Sequence, residues 1–279
     1  IKKRYNKVYG TTELKLSNGA RVILKSTGTE TIRLTATSPG GTSLIADTEY
    51  ANMNAINALP PMGGLAHLSP RELGRVLEGS SVSYKTNVGT LFESFTGSCS
   101  SAEIEQLLQL LYLRFTTVRK DTDAFERWQQ SQRNSIAQQL ANPMSLFADT
   151  LQRTMYDPHP RQRKSSQELV DEVDYDRVCE LFSERYANAA DFTFIIVGGM
   201  DIEYLLPLVC QYIGSLPGNP KDMERADLSA LPALRRGEQV THVQIPMENP
   251  VTTVIYNILA KKRYTARSSA TCALLSEVM

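Results

Sequence analysis

Histidine, tryptophan and paired cysteine are what this sequence has least of. Its 279 residues include three histidines, one tryptophan and four cysteines. His67, His159 and His242 lie far apart in the chain, and no two share a helical face. A hydrolytic metal site needs ligands at i, i+3 or i+4 on one element, and that spacing is missing. Cys99, Cys179, Cys210 and Cys272 contain no C-x-x-C pair, which excludes a zinc ribbon or finger and leaves the compartment unread. Cys179 and Cys210 stand among apolar residues and are expected as small core residues. Cys99 stands just before a helix cap, where a helix N-terminus lowers a thiol pKa. It has no histidine near it in sequence, so an inert thiol is expected.

Long apolar runs are also missing. The most apolar strand candidate, Phe192–Val197, falls far short of the roughly 20 residues that cross a bilayer. Net charge is absent too: thirty basic and thirty acidic residues cancel. Charge therefore does not steer the chain to nucleic acid or an anionic membrane. The one basic run, Lys2, Lys3, Arg4 and Lys7, reads as a solvated linker. No serine lies in a G-x-S-x-G context. Gly40-Gly41-Thr42-Ser43 lacks the lysine of a phosphate loop, and Met200 and Glu203 break a G-x-G-x-x-G reading at Gly198-Gly199. Both glycine pairs read as tight turns.

The chain does have enough apolar residues, 42%, for one large or two moderate cores. Thr11–Lys25 alternates on both sides of Asn18-Gly19 and predicts a hairpin with a two-residue type I′ turn. Ile32–Thr37 is a third strand closed by Gly40-Gly41. The stretch Asp47–His67 predicts a buried helix over Thr48–Leu59, stopped by Pro60-Pro61. Ser69-Pro70-Arg71-Glu72 is a capping box opening a short helix to Leu77. Ser81–Thr86 and Leu91–Thr96 are strands joined at Asn87–Gly89. Ser100–Glu103 reads as a second capping box. Ile104, Leu107, Leu108, Leu111 and Phe115 then recur on one helical face, too briefly for a coiled-coil seam, and are read as core.

Asp121 caps a long polar helix over Thr122–Leu140, Asn142-Pro143 opens another to Met155, and Tyr156–Arg163 is a loop. Ser165 and Glu168 read as a third capping box, and Asp174 caps a helix to Tyr186. Phe192–Val197 is a buried strand, followed after Gly198-Gly199 by a helix over Ile202–Ile213. Gly214–Gly237, broken by Pro217, Pro220 and Pro232, reads as a domain boundary. Gln239–Ile245 and Val251–Leu259 alternate as strands, and Tyr264–Met279 begins a helix. The order predicts an α+β fold: a mostly antiparallel sheet with helices packed on one face. The chain begins at Ile1 rather than Met, and is expected to be a segment of something longer.

Several stretches together resemble the pitrilysin/insulinase-like zinc peptidases, the group of the mitochondrial processing peptidases. They are the hairpin LSNGARVILKST with its following strand and GG, then GGLAHLSPRELGRVLEG, and the tandem helices QLLQLLYLRFTTVRKDTDAFERW. ANPMSLFADTL, DPHPR and the long VDYDRVCELFSERYANAADFTFIIVGGMDIEYLLPLVCQYIGSLPG complete the set. The resemblance implies a repeated processing-peptidase-like domain. It divides the chain into a linker over 1–10, one complete domain over 11–219, a linker over 220–237, and the truncated start of a second such domain over 238–279.

In that family zinc sits on the first helix in an inverted H-x-x-E-H motif, with a distal Glu on a later helix. Here Asp47–Leu59 has no histidine, and Glu49 is its only carboxylate after Asp47. Asn52, Asn54 and Asn57 are poor zinc ligands, and no Glu occurs between Glu126 and Glu168. The resemblance also implies an Arg and a Tyr beyond the first helix of the last repeat, and Arg263-Tyr264 lies on the wrong side of the helix to be that pair.

The expectation is therefore a non-catalytic, substrate-enclosing half, or part of one, of a zinc endopeptidase, with no catalytic, cofactor-binding or metal residues in this segment. Zinc is expected in the catalytic half of the parent. The expected partners are that half, on the same chain or on a partner subunit, and a peptide substrate, with no nucleic acid and no transmembrane segment. The alternative from a different class is a catalytically inactive binding or assembly subunit of the same fold. An unrelated enzyme using His67, His159 or a cysteine is the remaining reading.

Overall fold

The computed structural model describes residues 1–246, 249, 251–256, 263 and 265–278. It divides into two compact units, Ile1–Val243 and Gln244–Met279.

The first unit is a seven-stranded sheet with its helices on one face. Its strands are β1 (Lys2–Asn6), β2 (Thr11–Lys15), β3 (Arg21–Ser26), β4 (Thr31–Pro39), β5 (Ser83–Val88), β6 (Phe92–Ser100) and β7 (Thr193–Gly198). They lie in the order β1-β2-β3-β7-β4-β6-β5. Every pair is antiparallel except β3–β7, which is parallel. The alternation foreseen from the sequence sets the register. Val22, Leu24, Ile32, Leu34, Ala36, Phe95, Phe194 and Ile196 point into the core. Their neighbours Arg21, Lys25, Arg33, Lys85 and Thr96 point the other way and are exposed.

The helices are α1 (Tyr50–Ala55), α2 (Leu59–Met62), α3 (Pro70–Val76), α4 (Ile104–Thr116), α5 (Thr122–Ala141), α6 (Pro143–Thr154), α7 (Gln167–Asp171), α8 (Tyr175–Tyr186) and α9 (Ile202–Leu208). The α4 stripe is core as read: Ile104, Leu107, Leu108, Leu111 and Phe115 are all buried. Phe115 is its focus, with ring centroids 4.8 Å from Phe192 and 5.1 Å from Tyr186. On the polar α5 only Ala124, Trp128 and Ile136 are buried, the narrow packing stripe of a surface helix.

Several local expectations are corrected. The first hairpin does not turn on a two-residue Asn-Gly. The Gly19 N–H donates to Leu16 O, the Leu16 N–H donates to Ala20 O, and only Gly19 takes positive φ, 92°. This is a three-residue loop ending in a glycine bulge, which keeps the strand twist without asking Asn18 to leave its preferred region. Pro60-Pro61 does not stop a helix but opens α2, where a missing N–H costs nothing. Ser166, not Ser165, caps α7 through Leu169 N, so Glu168 falls one position short of reaching back. Ser100–Glu103 is not a reciprocal box, because the Glu103 carboxylate is taken by the hydroxyls of Ser80, Ser81 and Ser100 and by Ser81 N–H. Cys210 is exposed, being carried outward on the π-turn Val209–Ile213 that follows Pro207.

Two terminal segments also differ from expectation. The basic run is not free coil: Lys2–Asn6 pairs with β2 along its whole length as β1. Segment 220–237 falls within the first unit. Glu224 receives two hydrogen bonds from Arg185, at 2.8 and 3.1 Å, and Arg235 Nε donates to Tyr156 O at 2.7 Å.

In the second unit, α10 (Ala266–Val278) is capped by Thr265, whose Oγ1 accepts from Ser268 N at 3.0 Å. The stretch Gln239–Ile245, which runs from the end of the first unit into the second, forms no strand, and neither does the described part, 251–256, of the strand expected over Val251–Leu259. The rest of that strand lies outside the described residues. Alternation alone does not make a strand, since its N–H and C=O groups need a neighbour, and none pairs with them among the described residues.

Candidate functional site

The region to test is α1, with the turn that leads into it and the elements that hold it. β4 ends at Gly40-Gly41, and the chain passes through two short 3-10 turns, Gly41–Leu44 and Asp47–Glu49, into α1. Gly41 sits at φ 64°, and a Cβ there would meet Gly89 O at 2.3 Å, so the β5–β6 turn can approach only a glycine. Its N–H donates to Glu93 Oε2 at 2.5 Å. Glu93 is 1% exposed, and burial pushes its carboxyl pKa up, opposed by the Gly41 hydrogen bond.

Arg161 grips the same turn from the opposite side. Its side chain is 8% exposed; it donates to Asp47 Oδ1 at 2.5 Å, Thr42 O at 2.9 Å and Ile45 O at 2.6 Å. All three are charge-assisted bonds, and they add to the loop's own Ile45 N–H to Thr42 O bond. Ser43 adds a third anchor, donating to Gly40 O at 2.6 Å and accepting from Asp227 N at 2.9 Å.

On α1 itself the polar side chains are spent on the fold. Asn52 is buried; its Nδ2 donates to Glu49 Oε2 at 2.6 Å, and its Oδ1 accepts from Asp174 N at 2.9 Å. The other Glu49 oxygen accepts from Arg177 Nε at 3.1 Å. Arg177 also holds Glu184 and Glu180, and these three carboxylates push its guanidinium pKa up. Asn54 Nδ2 bonds back to Tyr50 O at 2.9 Å. Asn57 meets β5 as a strand would: its Oδ1 accepts from Val88 N at 2.7 Å and its Nδ2 donates to Val88 O at 2.9 Å.

The donor set does not fit zinc. An amide nitrogen has no lone pair to give, each amide oxygen of Asn52 and Asn57 accepts a main-chain N–H, and both Glu49 oxygens are engaged. No group of three or more His, Cys, Asp or Glu is placed to hold a metal ion among the described residues.

The histidines are on separate elements. His67 is exposed in the turn before α3, and His159 Nδ1 accepts from Arg161 N at 3.2 Å, which makes it a support for the clamp. His242 is exposed near the end of the first unit. Cys99 and Cys179 are buried, and burial raises each thiol to about 11, so neither is a nucleophile at neutral pH. Sequence reasoning missed Arg161, Glu93 and Arg177. Arg161 and Arg177 left only a trace, as arginines of the DPHPR and VDYDR segments.

No family model matches the chain. Among curated proteins it is 28% identical over 229 residues to the zinc protease PQQL-like protein of Arabidopsis thaliana, covering 80% of this chain and 21% of that one. Among solved structures, the periplasmic protease PqqL from Escherichia coli superposes with a TM-score of 0.72 at 22% identity, over 84% of this chain and 26% of that one. A structure described as the inactive domain of a peptidase M16 from Pseudomonas fluorescens matches at TM-score 0.61 and 17% identity, over 82% of this chain and 53% of that one.

The fold is thus that of an M16 peptidase domain. In sequence the chain is similar to PqqL-type zinc proteases, and in fold to pitrilysin-like M16 peptidase domains. It spans between a fifth and a third of the length of the curated relatives it matches. No helix among the described residues is long and apolar enough to cross a membrane.

Proposed function

We propose that this chain is a non-catalytic, substrate-enclosing half, or part of one, of a zinc-dependent endopeptidase that degrades or processes peptides. Zinc and the general base belong to another part of the parent protein or to a partner subunit. One observation carries the reading: at the place where the family's resemblance puts metal ligands, Glu49 and Asn52 tie α1 to α8.

Freed from metal chemistry, this domain supplies wall. The edge strand beside α1, β5, already receives a side-chain amide from Asn57 at Val88, and its remaining outer edge suits an extended peptide added as a strand. The match to an inactive M16 domain also supports the second reading, a binding or assembly subunit without proteolysis.

The experiment is to join this chain to its catalytic half and assay cleavage of an unstructured peptide with and without it. Cleavage that rises on joining supports the endopeptidase reading. Association without any change in cleavage supports the assembly subunit. Turnover by this chain alone contradicts both.

A further inference from the structure

At the sheet edge opposite β5, β1 pairs with β2 alone among the described residues. Lys2, Lys3, Arg4 and Tyr5 are all exposed, so the strand is open on both faces as well as along its outer edge. Tyr5 is 63% exposed. A strand left this way is a template for pairing with another chain.

The charge around it is one-sided. In the register of β1, β2 and β3, Lys2 stands opposite Lys15, and Lys15 opposite Arg21, which makes a row of three cations on the face away from the helices. Arg4 lies opposite Glu13, whose Oε1 accepts from Asn6 Nδ2 at 2.9 Å, and no Arg4–Glu13 ion pair forms. Lys3 pairs with Glu203 at 2.9 Å. Lys2, Arg4, Lys7, Lys15 and Arg21 form no ion pair among the described residues. Like charges directly across a ladder repel, and the Lys2–Lys15–Arg21 row has no ion-paired carboxylate among the described residues, so it favours an incoming anion.

We propose that the outer edge of β1 takes up an extended acidic segment of polypeptide as an additional strand. Carboxylates at alternate positions of that strand lie beside Lys2 and Arg4, and an apolar side chain on its other face lies against Tyr5. The spacing supports a strand over other polyanions: Lys2 and Arg4 are two residues apart, about 7 Å at the rise of a β-strand, which is the repeat of same-face side chains in a paired segment. The main-chain edge gives affinity and the cations give the preference for acid. The inference rests on β1 and its neighbours, and stands whether or not the peptidase reading does.

The test uses the 279-residue chain and a fluorescein-labelled peptide alternating Glu with Val or Thr, read by anisotropy. Saturable binding is expected, weakened at least about tenfold by Lys2→Glu with Arg4→Glu, a loss of about 1.4 kcal/mol. Arg71→Glu, exposed on α3 and off the sheet, should leave it unchanged. A peptide N-methylated on the amides of one edge should lose binding, and one methylated on the other edge should keep it. Absence of saturable binding overturns the proposal, as does binding indifferent to the double substitution. Equal binding of both N-methylated peptides overturns it too, by showing charge attraction without strand pairing. Tighter binding of a single-stranded oligonucleotide or of phosphatidylserine vesicles at the same residues assigns the surface to another partner. Should the double variant fail to fold, the N-methylated pair on the unaltered chain decides.

Discussion

The side-chain carbonyl of Asn52, on α1, accepts the main-chain N–H of Asp174 at 2.9 Å, and so fastens α1 to the residue that caps α8. Asp174 in turn accepts from Asp176 N and Arg177 N, which sets the Arg177 side chain toward Glu49. One buried amide thus closes a ring of polar contacts through the helix pair.

Asn52→Leu should therefore be destabilising although it adds apolar volume. It orphans the Asp174 N–H and removes the donor to Glu49 Oε2, and an unsatisfied buried group costs about 1–3 kcal/mol. Urea unfolding measures it, as a lower midpoint with unchanged slope. Asn52→His should show the same loss and gain no zinc affinity.

Arg161→Ala should cost about 2–3 kcal/mol, because one guanidinium serves Asp47 and two carbonyls of the turn into α1. Hydrogen exchange should speed up across 41–49 more than elsewhere. Arg161→Lys should recover little, since an ammonium cannot make the forked contact.

Phe115→Ala should cost about 3–5 kcal/mol, as for any large aromatic lost from a packed core. Its ring packs against those of Phe192, just before β7, and Tyr186 of α8, so no single neighbour can close the gap. Thermal or urea unfolding reads the loss.

Two carboxylates should shape the pH profile in opposite senses. Glu103, held by serine hydroxyls and Ser81 N–H, has its pKa lowered from 4.5 to about 2. Its contribution is present above 4.5 and is lost as pH falls through about 2, so Glu103→Gln should flatten the acid limb of stability there. Glu93 has a raised pKa from burial, so its ionised form opposes folding. Stability should rise as pH falls from above that raised value toward 4.5, and Glu93→Gln should remove this slope. Chemical denaturation across pH separates the two.

Thiol labelling of the native chain should modify Cys210 and Cys272, which are exposed, and spare Cys99 and Cys179 until the chain unfolds.

The elements that position this site were largely legible in the sequence because they obey local rules. The alternation of Val22, Leu24, Ile32 and Leu34, the α4 stripe, and the caps Ser69, Asp121, Asn142 and Asp174 each depend on residues within a turn or two. What escaped is nonlocal. Arg161 meets Asp47 across 114 positions and Arg177 meets Glu49 across 128, so nothing in their own neighbourhoods names the partner. β1 escaped for a related reason: Lys2–Asn6 has no apolar alternation, and only the presence of β2 makes it a strand. Conversely, Gln239–Ile245 has alternation but no pairing neighbour among the described residues, and forms no strand. The missing histidines in Asp47–Leu59 were visible at once, while the use made of Glu49 and Asn52 instead was visible only in three dimensions.

The most direct measurement is zinc stoichiometry of the purified chain by equilibrium dialysis and elemental analysis, with peptide cleavage assayed on the same sample. The account predicts no stoichiometric zinc and no turnover, in the unaltered protein and after Glu49→Ala alike. One tightly held zinc per chain that is lost on Glu49→Ala, together with cleavage activity, would contradict it.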